Sequence, residues 1–302
     1  MSHPLLQELS EPIATARGVR LLLWRDDLVN PDLPGNKARK LKYNLAAARE
    51  QGHDTLLTFG GAYSNHLAAV AAAGRLFGFR TIGLVRGEPT AELNPTLRQA
   101  TADGMALHYL DRSSYRQRAE PAFVAEQLAQ HGPAYVLPEG GTNALALRGV
   151  AELVPEIRQH TSFDAVAVAV GTGGTMAGLL LGLQGQQHAV GVAALKNGGF
   201  LQADVDALTQ QAAGPVFSNY SLQTGYHCGG YAAYSAELLS FIRQFQQRHG
   251  VLLDPIYTGK LLFGVLDLIA QGYFAPGSTV VAIHTGGLQA WAGWHLRYGT
   301  TE

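Results

Sequence analysis

The stretch Thr55-Leu56-Leu57-Thr58-Phe59-Gly60-Gly61-Ala62-Tyr63-Ser64-Asn65-His66 decides the fold. A short apolar run, a glycine pair and a Ser-Asn step into a helix-period segment mark a strand that turns directly into a helix. The pattern predicts a strand over Thr55–Phe59 and a helix over Ser64–Phe77. Upstream, Gly35-Asn36-Lys37-Ala38-Arg39-Lys40 sets a lysine in a tight Gly/Asn turn at the mouth of a helix. Downstream, Gly171-Thr172-Gly173-Gly174-Thr175 repeats the theme of strand, glycine loop and helix.

Working outward, further short apolar runs fall at Thr81–Val85, Ala106–Leu110 and Ala134–Leu137. Helical segments at Pro95–Asp103 and Tyr115–His131 alternate with them. A second set comprises strands Ala165–Val170 and Ala189–Ala194 with helices Thr175–Leu183, Asp204–Ala212 and Ser235–His249. A last strand, Ser278–His284, runs into Gly286-Gly287 and a short helix. Such βα units build parallel sheets covered on both faces. The expected fold is α/β, with two open doubly wound domains and the ligand site in the cleft between them. Residues 50–149 form the smaller inserted domain; 1–49 and 150–302 form the larger one.

Composition narrows the function. Lys and Arg number 22 against 23 Asp and Glu, and no basic stripe appears, so nucleic acid is not an expected partner. Charged residues are only 15%, low for a globular protein, so the rest of the surface is expected to be Gln, Ser, Thr and Gly, or to be partly buried in an oligomer. The single cysteine, Cys228, excludes an intrachain disulfide and fits a reducing compartment. Met1–Pro12 lacks a basic segment followed by an apolar run, and the glycine-split apolar stretches are too short for a membrane span. A cytoplasmic location is expected. The histidines His66, His227 and His284 are isolated, so no metal site is expected, and no Gly-x-Ser-x-Gly elbow appears.

The ordinary reading of Lys37 is a solvated lysine at a helix start. Its context favours another role. An amine that bonds an aldehyde needs a fixed backbone and a depressed pKa, from burial or from positive neighbours such as Arg39 and Lys40. The Gly171 loop could be a structural turn or a phosphate cradle built from backbone amides at a helix start. No acidic residue follows at dinucleotide spacing, and Lys196 follows the next strand instead. Ser64-Asn65 and Pro138-Glu139-Gly140-Gly141-Thr142-Asn143 could each be helix caps or ligand contacts. Taken together, a fixed amine, a polar helix start and a phosphate-type loop fit pyridoxal phosphate (PLP).

The ordered series Gly-Asn-Lys-x-Arg-Lys-Leu, Gly-Gly-x-x-Ser-Asn-His, Pro-Glu-Gly-Gly-Thr-Asn, Gly-Thr-Gly-Gly-Thr-x-Ala-Gly, Leu-Asp-Pro-x-Tyr-Thr-Gly-Lys and His-Thr-Gly-Gly spans residues 35 to 287. It resembles the 1-aminocyclopropane-1-carboxylate (ACC) deaminase/D-cysteine desulfhydrase family. That family shares the fold of the tryptophan synthase β-subunit, fold type II of the PLP enzymes. The resemblance implies that Lys37 bonds the cofactor aldehyde and shuttles a proton. It implies that Asn65 bonds the ring hydroxyl and that Ser64 lies beside the substrate carboxylate. Thr172, Gly173, Gly174 and Thr175 are implied as the phosphate loop, with Lys40 as helper. Tyr231 and Tyr257 are implied as active-site tyrosines, Thr142 as a substrate contact and Thr258 as the partner of the ring nitrogen. A homodimer is implied as well.

Two departures bear on the reaction. The deaminases of this family carry glutamate directly after the tyrosine, where this chain has Thr258, and cysteine where it has Gly141. A carboxylate would keep the ring nitrogen protonated; a hydroxyl carries no such charge. The expected activity is therefore α,β-elimination from a small amino acid, D-cysteine foremost. The alternatives are ACC deamination, a lyase for another small D-amino acid, a PLP-binding regulatory protein without turnover, and a nucleotide-binding module. The stretch Tyr226-His227-Cys228-Gly229-Gly230 matches neither enzyme.

Overall fold

Ala165–Val170 alternates alanine with valine, and both kinds of residue are almost wholly buried there. A strand covered on both faces reads this way. In the computed structural model, residues 5–30, 32–33, 35–213 and 216–298 are described. Met1–Pro4, part of the segment read for a leader, and residues 299–302 lie outside them.

The strands are β1 (Leu6–Glu8), β2 (Arg20–Trp24), β3 (Thr55–Gly61), β4 (Arg80–Arg86), β5 (Met105–Leu110), β6 (Tyr135–Leu137), β7 (Ala165–Val170), β8 (His188–Ala193), β9 (Tyr220–Gln223) and β10 (Thr279–Ile283). They form two sheets, ordered β1-β2-β10-β7-β8-β9 and β5-β4-β3-β6. All pairings are parallel except β1 with β2. The α/β architecture expected from the sequence is therefore present.

The chain divides into two units. The larger comprises Met1–Asn36 and Leu147–Leu288, and the smaller Lys37–Ala146 and Gln289–Glu302. The division falls between Asn36 and Lys37, so helix Asn36–Glu50 groups with the smaller unit, as does the C-terminal helix Ala290–Tyr298. The boundaries drawn from the sequence put both segments in the larger domain.

In the larger unit, Val166, Val168 and Val170 of β7 join a core with Leu147, Val150, Val154 and Leu180. The first three of these partners and the last come from helices Ala144–Ala151, Leu153–His160 and Gly174–Leu183. Helix Thr258–Ala270 also packs on β7, β8 and β10. Strand alternation sends Ala165 and Ala167 away from the valines, toward the other face. In the smaller unit, Leu57, Phe59 and Leu84 pack with Tyr115, Phe123 and Ala134.

The segment expected as one helix over Tyr115–His131 is two, Arg112–Arg116 and Pro121–His131. Pro121 opens the second, and Glu120 before it is held extended at φ −75° and ψ 127°. Strands β1, β2 and β9 and helix Leu153–His160 are further elements that periodicity did not reveal. Among the described residues, no helix is long and apolar enough to cross a membrane. Nor does any cluster of three His, Cys, Asp or Glu side chains offer a metal site among them.

Candidate active site

The turn before Lys37 is built against the end of β10. Gly35 has φ +75°, and any side-chain carbon on it would collide with the carbonyl oxygen of Thr285. Only glycine fits there. The Asn36 amide donates to that same carbonyl at 3.3 Å. The Asn36 side chain donates to Oγ1 of Thr175 at 2.9 Å. The residue preceding Lys37 is thus bonded to the Gly171–Thr175 loop.

That loop leaves β7 at Val170 and reaches helix Gly174–Leu183 through Gly173, which caps it at φ +78°. The first amides of a helix have no intrahelical partner, and the helix dipole is positive there, so the turn favours an anion. Gly171 is overlain by Tyr257: a side-chain carbon on Gly171 would lie 3.1 Å from Tyr257 Cε1. The rings of Tyr257 and Tyr231 meet edge to face, 6.1 Å between centroids.

Tyr257 is positioned by the turn that follows Leu253. Asp254 is fully buried, and its carboxylate accepts from the amides of Ile256, Tyr257 and Thr258 at 2.9, 2.8 and 2.9 Å. Thr258 Oγ1 donates to Asp254 Oδ2 at 2.6 Å and accepts from the Asp254 amide at 2.8 Å. Its one hydrogen is committed, and one lone pair is left. Toward any further group, Thr258 can act only as an acceptor.

In the smaller unit, burial pulls the Lys37 amine from 10.5 down to about 8. The cause is desolvation, the first of the two causes that the sequence left open. Lys40 is buried, and its amine donates to Gly140 O at 3.1 Å and Thr142 Oγ1 at 3.3 Å. Burial, then the charge of Lys37, holds it well below the usual lysine range. Both acceptors lie on the Pro138–Asn143 segment.

Ser64 caps helix Asn65–Phe77 and accepts from the amides of His66 and Leu67 at 3.2 and 3.3 Å. Asn65 Oδ1 is buried with no hydrogen-bond partner. His66 lies beside it, buried, with Nε2 2.8 Å from Thr58 Oγ1. Thr58 donates its hydroxyl to Leu137 O at 2.9 Å, so His66 Nε2 must carry the hydrogen. Burial, then Lys37 and Lys40, hold His66 well below its usual pKa against the opposing Pro138 carbonyl. Its Nδ1 is also buried without a partner. Gly141 faces this ring at φ +66°, and a side-chain carbon there would lie 2.8 Å from His66 Cε1.

A family model described as pyridoxal-phosphate dependent enzyme matches residues 4–286. The chain belongs to that family. Pyridoxal phosphate is its cofactor. Each unit by itself offers features that suit such a group: in the smaller, an amine of lowered pKa at Lys37 and an orphaned buried oxygen on Asn65; in the larger, an anion-favouring helix start at Gly174.

Relatives narrow the class. The pyridoxal-phosphate enzyme is 32% identical over 281 residues to a putative ACC deaminase of Pyrococcus horikoshii, covering 90% of this chain and 85% of that one. It is 31% identical to a D-cysteine desulfhydrase of Klebsiella pneumoniae, covering 92% and 90%. The solved structure of an ACC deaminase homologue superimposes with a TM-score of 0.83 at 32% identity, over 95% of this chain and 90% of that one. The enzyme is therefore a PLP-dependent lyase of the ACC deaminase/D-cysteine desulfhydrase type.

Sequence reasoning named Lys37, Ser64, Asn65, Thr142, Tyr231, Tyr257, Thr258 and the Gly171 loop. Within the larger unit the structure brings Tyr231, Tyr257 and Gly171 together; within the smaller one it joins Lys40 to Thr142. It adds Asn36, His66 and Asp254. Asn36 and Asp254 read as ordinary turn residues, and His66 as an isolated histidine; each gains its role only from a partner distant in sequence or from burial.

Proposed function

We propose that the protein converts D-cysteine and water to pyruvate, ammonia and hydrogen sulfide. The observation that carries this reading is the Asp254–Thr258 pair. In the position where the resembling deaminases carry a glutamate, this chain has a hydroxyl whose hydrogen is already given to Asp254. A ring nitrogen held there could bond this oxygen only by donating a hydrogen to its remaining lone pair, with the Asp254 carboxylate one hydrogen bond removed rather than directly opposed.

When bound, pyridoxal phosphate supplies an aldehyde for the substrate amine and an electron-withdrawing ring. Lys37 would hold the aldehyde, the turn from Thr172 to Thr175 the phosphate, Asn65 Oδ1 the ring hydroxyl and Thr258 Oγ1 the ring nitrogen. Ser64 and Thr142 would orient the substrate carboxylate, with Lys40 supporting Thr142. The Lys37 amine, with its pKa near 8, is suited to take the α-proton and return it near neutral pH. Tyr231 or Tyr257 would protonate the departing sulfur. Work as a cytoplasmic homodimer is part of the same reading; the low charged fraction and the lone Cys228 support it.

The second reading, ACC deamination, is supported by the Pyrococcus relative. One assay separates the two. Pyruvate is measured with D-cysteine, L-cysteine, D-serine and β-chloro-D-alanine, and 2-oxobutyrate with ACC. D-Cysteine should be the best of these substrates. Faster turnover of ACC would replace this reading with the second. PLP binding without turnover of any of them would leave a regulatory protein.

A further inference from the structure

Helix Thr258–Ala270 carries Lys260, Gly264 and Asp267 at a spacing that puts them on one face. All three meet the Tyr226–Gly230 stretch. The Tyr226 ring lies over Gly264, where a side-chain carbon would come within 2.9 Å of Tyr226 Cγ. The Tyr226 hydroxyl donates to Asp267 at 2.7 Å. At the far end, Lys260 Nζ donates to Gly230 O at 2.7 Å and to Ala194 O, just past β8, at 3.4 Å.

Between and beyond these anchors the backbone is strained. Cys228 has φ +48°, Gly229 +99°, Gly230 +118° and Ala232 +55°. Two of these are not glycine, and such residues avoid this region unless their surroundings impose it. Lys260 is fully buried. Burial pulls its amine to about 8, while Cys228 and Asp254 oppose the shift. A buried amine carries a desolvation cost, and here its donors go to two main-chain carbonyls. Tyr231 follows Gly230 directly and meets Tyr257 edge on.

We propose that Lys260 is a positioning residue that latches the 226–233 loop to the end of β8 and so fixes Tyr231 against Tyr257. The proposal rests on the reading of those tyrosines as active-site groups. Its consequence is substrate fit, because Tyr231 itself is 47% exposed and its ring meets that of Tyr257.

Cys228, the only cysteine of the chain, lies on this loop and reports its state. In the PLP-loaded enzyme, Lys260→Met should raise the rate of Cys228 with a disulfide reagent about tenfold or more. The sign is diagnostic. The Lys260 charge lowers the Cys228 pKa, so its loss alone would slow the thiolate reaction. Acceleration therefore reports opening of the loop. In the unmutated holoenzyme, the Gly230 and Ala233 amides, bonded to His227 O and Gly230 O, should resist hydrogen exchange. KM for D-cysteine should rise about tenfold in Lys260→Met with kcat less affected, and the effect should not add to that of Tyr231→Phe. Random-coil exchange of the loop in the unmutated enzyme overturns the latch even if the variant fails to fold. An unchanged Cys228 rate in a folded variant overturns it too. If the loop opens and KM stays, the link to substrate fit is overturned while the proposed reaction stands. Absence of lyase activity in the unmutated enzyme would instead defeat the proposed function, and the cysteine and exchange results would still decide the latch.

Discussion

The side chain of Asn36 donates a 2.9 Å hydrogen bond to Oγ1 of Thr175, 139 residues away. Thr175 is buried at the start of helix Gly174–Leu183, and Asn36 directly precedes Lys37. The residue before the amine and the anion-favouring turn are therefore held in one bonded arrangement.

This bond should matter to cofactor binding. Thr175→Val removes both the Asn36 partner and a hydroxyl of the turn. PLP affinity, followed by fluorescence titration, should fall roughly tenfold or more. Asn36→Ala should cost less, about fivefold. In the double variant the losses should fall short of additive. Unchanged affinity in both single variants would return the loop to a structural turn.

Lys37 should be the residue that carries the cofactor. Borohydride reduction and peptide mapping should find the pyridoxyl group there, and label at Lys40, Lys196 or Lys260 would contradict it. Burial also has a signature in the apo-protein. Between pH 8 and 10.5 the unfolded chain holds the Lys37 proton and the folded chain does not, so this group's contribution to stability rises with pH across that window. Apo Lys37→Met should melt above the parent at pH 7, and the gap should shrink toward pH 10.

Gly141→Cys should not turn the protein into a deaminase. The new side chain would meet His66 Cε1 at 2.8 Å on a backbone at φ +66°. The left-handed conformation alone costs about 1–2 kcal/mol, and displacing the buried ring adds to it. Denaturant unfolding should show the loss. Pairing the change with His66→Ala should recover less than all of it, since the backbone strain remains.

Thr258→Val should destabilise by about 1.5–3 kcal/mol, because it removes two hydrogen bonds and leaves the buried Asp254 carboxylate short of a donor. Thr258→Ser keeps the hydroxyl and should recover most of this stability. Equal melting of Val and Ser variants would mean that the hydroxyl does not hold the turn.

The βα repeats were legible because each strand is a short apolar run ended by glycine or a polar cap, as in Thr55–Ser64. The amine, the glycine loop and the Ser-Asn step were legible because their residue types are rare in that order. Other features were not. Arg20–Trp24 looks like any apolar run until β10 pairs with it. Lys40 shows only its charge in the sequence, and its bonds to a carbonyl and a hydroxyl about a hundred residues on lie in the fold. The depressed pKa of Lys37 could have come from burial or from its neighbours, and only the fold, which a sequence does not display, assigns it to burial. Thr258 was read as a single hydroxyl, and its pairing with Asp254 lies in the fold of the turn.

The strand order of the larger sheet sets the timetable of synthesis. Strand β2 pairs with β10, so the second strand made waits for the last of the described strands, more than 250 residues later. Until residue 283 has left the ribosome, β2 and β7 each have an open edge, and apolar open edges invite pairing with other chains. The β3–β6 sheet faces no such delay, since its strands are all present by residue 137. Nascent chains stalled near residue 270 should therefore protect the smaller sheet from protease while the larger one remains cleavable. Premature termination late in the gene should yield insoluble product even though nine-tenths of the chain has been made.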